Sequence, residues 1–170
     1  MKLGEINLGL RIIRKNFIQS GIACSMFFGT AAWPLDNPDA VNLMHEFESS
    51  SHPYLESIEK TELTETDMLR AYAIYQAFLE QELNHHYQRL LAQVDQPSGK
   101  TLRESQHRWR QWREVELRFI TSNWTPANFG SSSRITRAAS RTLLLRHRII
   151  ELIHYRQHYA DILPPGGHPP

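Results

Sequence analysis

A chain of 170 residues with 41% apolar and 22% charged residues is long enough to bury a core and too apolar for wholesale disorder. Its formal charge of +1 hides an asymmetry: Lys2, Arg11, Arg14 and Lys15 against Glu5 give residues 1–32 a net +3 and leave −2 for the rest, a poor balance for gripping nucleic acid. The single cysteine, Cys24, excludes a disulfide framework within the chain.

Residues 1–32 have the three-part layout of a secretory signal peptide. Basic Arg11, Arg14 and Lys15 precede an apolar run over 17–28, and the small residues Gly29, Thr30, Ala31 and Ala32 suit cleavage after Ala31 or Ala32. The run is shorter than the roughly 20 apolar residues of a spanning helix, so an uncleaved inner-membrane anchor is the alternative. This reading puts the protein in the periplasm or outside the cell, touching membrane only through the leader if it is retained.

Residues 33–63 read as a flexible acidic linker with a short helix around 40–47. Nine carboxylates stand against Lys60 between Asp36 and Asp67, and Ser49-Ser50-Ser51-His52-Pro53 looks like a breaker. The linker is either a solvated spacer or an acidic surface that steers a basic partner.

Regular structure begins at Thr64, where Asp67 three residues on imitates a capping box. Met68, Tyr72, Tyr75, Leu79, Leu83, Tyr87, Leu90 and Val94 recur every three or four residues with no Gly or Pro between them, which predicts one long helix. Residues 95–99 read as its end, and Thr101 with Glu104 as the capping box of a second long helix reaching about Thr121. Leu102, Gln106, Trp109, Arg113, Glu116 and Ile120 share one stripe of that helix, and a buried stripe this polar needs partners from its neighbour. Asn84, Gln106, Arg113 and Glu116 therefore read as a hydrogen-bonded network that sets register, with Arg113 reaching Glu116 or Glu80. Residues 123–133 form a loop carrying Trp124 and Phe129. A third long helix, capped by Ser132 or Ser133, buries Ile135, Ala138, Thr142, Leu145, Ile149, Leu152 and Ile153 and runs to about Tyr159. The expectation is an all-α fold: a long antiparallel hairpin plus a third long helix, a helical domain over 64–160 and a disordered Pro/Gly-rich tail over 161–170.

Leu83-Asn84-x-x-Tyr87, Gln106-x-x-Trp109-x-x-x-Arg113 and Arg148-x-x-x-Leu152, in that order, resemble the pattern of the LprI-like family over residues 64–156. These are small secreted bacterial helical proteins grouped with a lysozyme inhibitor. The resemblance implies a helical binding protein of the bacterial envelope, with these eight motif residues mainly structural. Two cysteines usual in that family are replaced here, one by Tyr72 or a neighbour and one by Leu117, which implies an apolar contact where a disulfide of about 2–4 kcal/mol would stand. An Asp common three residues before Leu-Asn is Glu80.

Three further groups of side chains are candidates for binding. His147, Glu151, His154 and His158 share a stripe of the third helix, and His154/His158 has metal-ligand spacing, but surface histidines are the preferred reading. Arg134, Arg137, Arg141 and Arg148 share a face whose expected partner is the acidic 36–67 stretch. Trp124 and Phe129 are the candidates for partner contact. No phosphate loop, nucleophile elbow or paired acid stands out, so no enzyme activity and no cofactor are expected. The function expected is a secreted lysozyme-inhibitor-like binding protein whose partner is a lysozyme or other envelope protein. The alternative is an assembly, accessory or immunity factor of a secretion system that docks to protein without lysozyme affinity.

Overall fold

The computed structural model of the protein describes residues 42–60 and 63–162. The expected signal peptide, the start of the acidic segment and the Pro/Gly-rich end therefore lie outside the described residues. Five helices follow in order: α1 (Leu43–Glu59), α2 (Glu65–Gln93), α3 (Gln96–Asn123), α4 (Pro126–Phe129) and α5 (Ser133–Ile162). There is no strand among the described residues, and the fold is an all-α small bundle.

Side-chain pairs give the directions of the helices. Glu65 meets Arg134 near the start of α2 and α5, and His86 meets Arg156 further along both, so α2 and α5 run parallel. They form the most closely packed pair in the bundle. Phe47 lies against His86 while Tyr54 lies against Tyr75 and Phe78, so α1 runs antiparallel to α2. Glu80 pairs with Arg113, and Leu90 and Val94 share a hollow with Ser98 and Leu102, so α3 is also antiparallel to α2. A parallel pair buried between two antiparallel flanking helices lets apolar stripes from α1, α2 and α5 share one core. Phe47, Tyr75, Leu79, Leu83, Leu90, Leu145, Ile149, Leu152 and Ile153 form it.

Two boundaries correct the reading of the sequence. The supposed linker contains a 17-residue helix, and α1 passes straight through Pro53. Its Leu43, Met44, Phe47, Ser51, Tyr54, Leu55 and Ile58 have helical spacing, and Phe47 and Ser51 are fully buried. Burial of that stripe outweighs the one backbone hydrogen bond a mid-helix proline forfeits. Asn42 starts α1 by accepting from the His45 amide at 3.0 Å. The second correction is the start of α3. Asp95, not Thr101, is the cap: its Oδ1 accepts from the Ser98 amide at 2.9 Å. Pro97 occupies the first turn, where its missing N–H costs nothing, and Thr101 donates instead to the Pro97 carbonyl at 3.3 Å. What looked like a five-residue breaker is a two-residue turn followed by helix.

Among the described residues no helix is long and apolar enough to cross a membrane.

Candidate functional site

The motif residues gather where α3 leans on α2 and α5. Leu83 and Tyr87 of α2 and Leu152 of α5 are buried and supply the apolar floor, while Asn84 stays exposed at the rim. Above that floor Arg148 enters from α5 and is only 6% exposed. Its Nε donates to Gln106 Oε1 at 3.1 Å, its Nη2 to Ser105 Oγ at 3.2 Å and its Nη1 to Glu151 Oε2 at 2.9 Å. Gln106 is itself 2% exposed, so the Arg148–Gln106 bond joins two groups that water hardly reaches. Trp109 lies within cation–π range of two guanidiniums, Arg113 at 5.6 Å and Arg148 at 5.9 Å from the ring centroid.

Arg113 pairs with Glu80 of α2, Nη2 to Oε1 at 2.5 Å, rather than with Glu116 of its own helix. Its Nε finds no partner among the described residues. Together these groups line a cleft of about 340 Å³ between α2 and α3 with Asn84, Arg110, Glu114 and Leu117 on its walls. Leu117 belongs to this cleft, whereas Tyr72 lines a different hollow with Arg134, Arg137 and Arg141. Tyr72 and Leu117 thus line different hollows, and the side-chain tie between α2 and α3 beside Leu117 is the Glu80–Arg113 ion pair.

A second feature is the corner where α3 ends. Trp124 stacks on Phe129 at 6.0 Å and 21°, and Phe119 meets Trp124 edge-on at 5.9 Å. The connection is held by its own polar groups. Thr125 Oγ1 accepts from the Asn128 amide at 3.3 Å, Asn128 Nδ2 donates to the Asn123 carbonyl at 3.3 Å, and Ser132 Oγ donates to the Phe129 carbonyl at 3.1 Å. Gly130, at φ 68°, takes the left-handed conformation that turns the chain into α5. Phe119 and Phe129 are about half exposed, and Trp112 and Val115 continue the apolar surface along the outer face of α3. The spacing 112, 115, 119 is visible in the sequence as a second apolar stripe, flanking the polar one by roughly a quarter turn or more.

The other candidates separate. His147, Glu151, His154 and His158 are exposed; Glu151 is taken by Arg148, and His158 Nδ1 donates to the His154 carbonyl at 2.7 Å. Among the described residues no three potential ligands converge on a metal position. The arginine face of α5 also divides. Arg134 pairs with Glu65 at 3.2 Å and Arg146 with Glu48 of α1 at 2.5 Å, while Arg148 turns inward to Gln106. Pairing with the acidic stretch therefore holds for Arg134 but not for Arg148.

One buried site escaped the sequence. His86 is 4% exposed between Phe47, Glu82 and Arg156. Arg156 Nη1 lies 2.6 Å from His86 Nδ1, and since a guanidinium only donates, Nδ1 is the acceptor and the proton sits on Nε2, facing Glu82 at 3.5 Å. Burial first, then the charge of Arg156, lowers the His86 pKa to about 4 from its usual 6.5. The unfolded chain takes up this proton as pH falls below 6.5, but the folded chain resists until about 4. Stability present above pH 6.5 is therefore lost across that window, by about 2 kcal/mol after allowing for the water that still reaches the ring. Urea melts from pH 7.5 to pH 4 measure the loss. His86→Gln, which keeps an acceptor for Arg156, is expected to flatten it; an unchanged pH profile in that variant would assign the effect elsewhere.

Residues 58–152 match the model of a family described as lysozyme inhibitor LprI. The matched span begins in the last turn of α1 and takes in α2, the cleft, the aromatic corner and most of α5. No curated protein and no solved structure matches the chain.

Proposed function

The chain belongs to the lysozyme inhibitor LprI family, and from that premise we propose that it is an extracytoplasmic binding protein that blocks a lysozyme-type muramidase. The observation that carries this reading is the corner built by Phe119, Trp124 and Phe129. A protruding, pre-ordered aromatic cluster can enter the sugar-binding groove of a glycosidase and bury rings at little entropic cost. Trp112 and Val115 extend the contact beyond the tip. Glu46, Glu56 and Glu59 stay exposed on α1 and supply the charge that steers toward a basic enzyme, since Glu48 is committed to Arg146. The buried Arg148–Gln106–Trp109 network serves this surface by fixing α3, on which it is mounted.

The test is hydrolysis of cell walls by several lysozyme types, with and without the purified protein. Saturable inhibition is expected, and Trp124→Ala with Phe129→Ala should weaken it by about a hundredfold or more while leaving helicity unchanged. Full inhibition by the double variant would move the binding surface away from the corner. Indifference of every lysozyme to the wild-type protein would favour the alternative of an envelope assembly or secretion-system immunity factor that docks through the same surface.

A further inference from the structure

The parallel packing of α2 and α5 leaves a hollow of about 420 Å³ near the start of both helices. Two small residues, Ala73 of α2 and Ala138 of α5, are part of its lining and leave room between the longer side chains. Around it stand Tyr72 and Gln76, one turn apart on α2, and Arg137 and Arg141, one turn apart on α5, with Arg134 at the edge. Among the described residues no carboxylate lines the hollow. This distinguishes it from the α2–α3 cleft, where Glu80 and Glu114 accompany Arg110 and Arg113.

The ion pairs of the described residues sharpen the contrast. Arg134 is answered by Glu65, Arg146 by Glu48 and Arg148 by Glu151. Arg137 and Arg141 have no ion-pair or hydrogen-bond partner among the described residues, yet both are half-buried. Two half-buried arginines one turn apart, without an acidic partner among the described residues, leave an excess of positive charge at the hollow that an anion would balance. We propose that this hollow is a binding site for a phosphate-type oxyanion. Arg137 and Arg141 each offer a planar fork to its oxygens, with the Gln76 amide and the Tyr72 hydroxyl as further donors. Burial, and then the charge of Glu59, raises the Tyr72 pKa, so the phenol keeps its proton.

The phosphate could be a free ion or small ester, or the headgroup of an anionic lipid. Calorimetric titration of the full chain with inorganic phosphate at low salt, where screening is weak, tests the site directly. Saturable binding of one phosphate is expected. Arg137→Gln with Arg141→Gln should weaken it by at least about tenfold. Gln76→Glu, which leaves both arginines in place and puts a carboxylate across from them, should weaken it similarly and decides the matter if the double variant fails to fold. Vesicles of phosphatidylglycerol, against phosphatidylcholine as control, separate the sources: vesicle binding displaced by phosphate assigns the headgroup to this hollow. Vesicle binding that phosphate does not displace would assign the hollow to a free phosphate or small ester, and the proposal is overturned if the full chain takes up no phosphate saturably or if both variants bind as the wild type does. Trp124→Ala with Phe129→Ala should leave phosphate binding intact, which keeps this result independent of the lysozyme assay.

Discussion

Arg148→Ala is expected to cost the fold about 3–5 kcal/mol, seen as a large drop in the urea midpoint. Three acceptors lose their donor at once, and Gln106 Oε1, almost without access to water, is left unpaired. Trp109 also loses one of the two guanidiniums beside its ring, and the vacated space next to Leu152 adds a cavity term. The mechanism can be separated from mere loss of bulk. Arg148→Met keeps most of the volume but strands Gln106, and so remains destabilising. Arg148→Met with Gln106→Leu removes both ends of the buried bond and should recover most of the loss, because two matched apolar groups carry no desolvation debt. A cost below about 1 kcal/mol for Arg148→Ala would mean that water satisfies Gln106 and that the network does not fix α3.

This network shows how far the sequence reaches. The stripe Gln106, Trp109, Arg113 signals that α3 presents polar groups to its neighbours, because burying them demands partners. The identity of those partners depends on the packing of α5, which no local pattern reports. Arg148 therefore reads from sequence as one cation on a basic face and turns out to be the donor to Gln106, while Arg113 takes Glu80. His86 and Arg156 were within reach: His86 extends the buried stripe of Leu79 and Leu83, and Arg156 that of Leu145, Ile149 and Leu152, each at helical spacing. A polar residue on an apolar stripe of each of two helices is the signal for a buried pair. The outer stripe of Trp112, Val115 and Phe119 was legible by the same count. The hollow lined by Arg137 and Arg141 was not, since it depends on two helices far apart in sequence packing side by side.

Helix α1 carries the sharpest expected result on the fold itself. Its sequence carries four glutamates, no lysine or arginine, and a Ser-Ser-Ser-His-Pro run, all signs of an extended linker, yet Phe47 is 2% exposed in the core. The ring meets His86 edge-on at 6.3 Å and lies 5.4 Å below the Arg146 guanidinium, which is itself held by Glu48 one residue along. Phe47 thus closes the junction of α1, α2 and α5, and its removal exposes the one side of His86 that α1 covers. Phe47→Ala should cost about 3–5 kcal/mol and lower the melting temperature by roughly 10 °C. Hydrogen exchange gives the finer readout. Because α1 packs only on the outside of the α2–α5 pair, its amides are expected to lose protection first, while those of α2 and α5 stay slow. Glu48→Gln, which weakens the ion pair but leaves the ring, should cost far less, since that pair remains partly exposed. If Phe47→Ala melted within a degree or two of the wild type, α1 would be the loosely attached spacer its composition suggests, and the core would belong to α2 and α5 alone. A full-sized loss would establish that an acidic, proline-containing segment is held in the bundle by a single apolar stripe centred on Phe47.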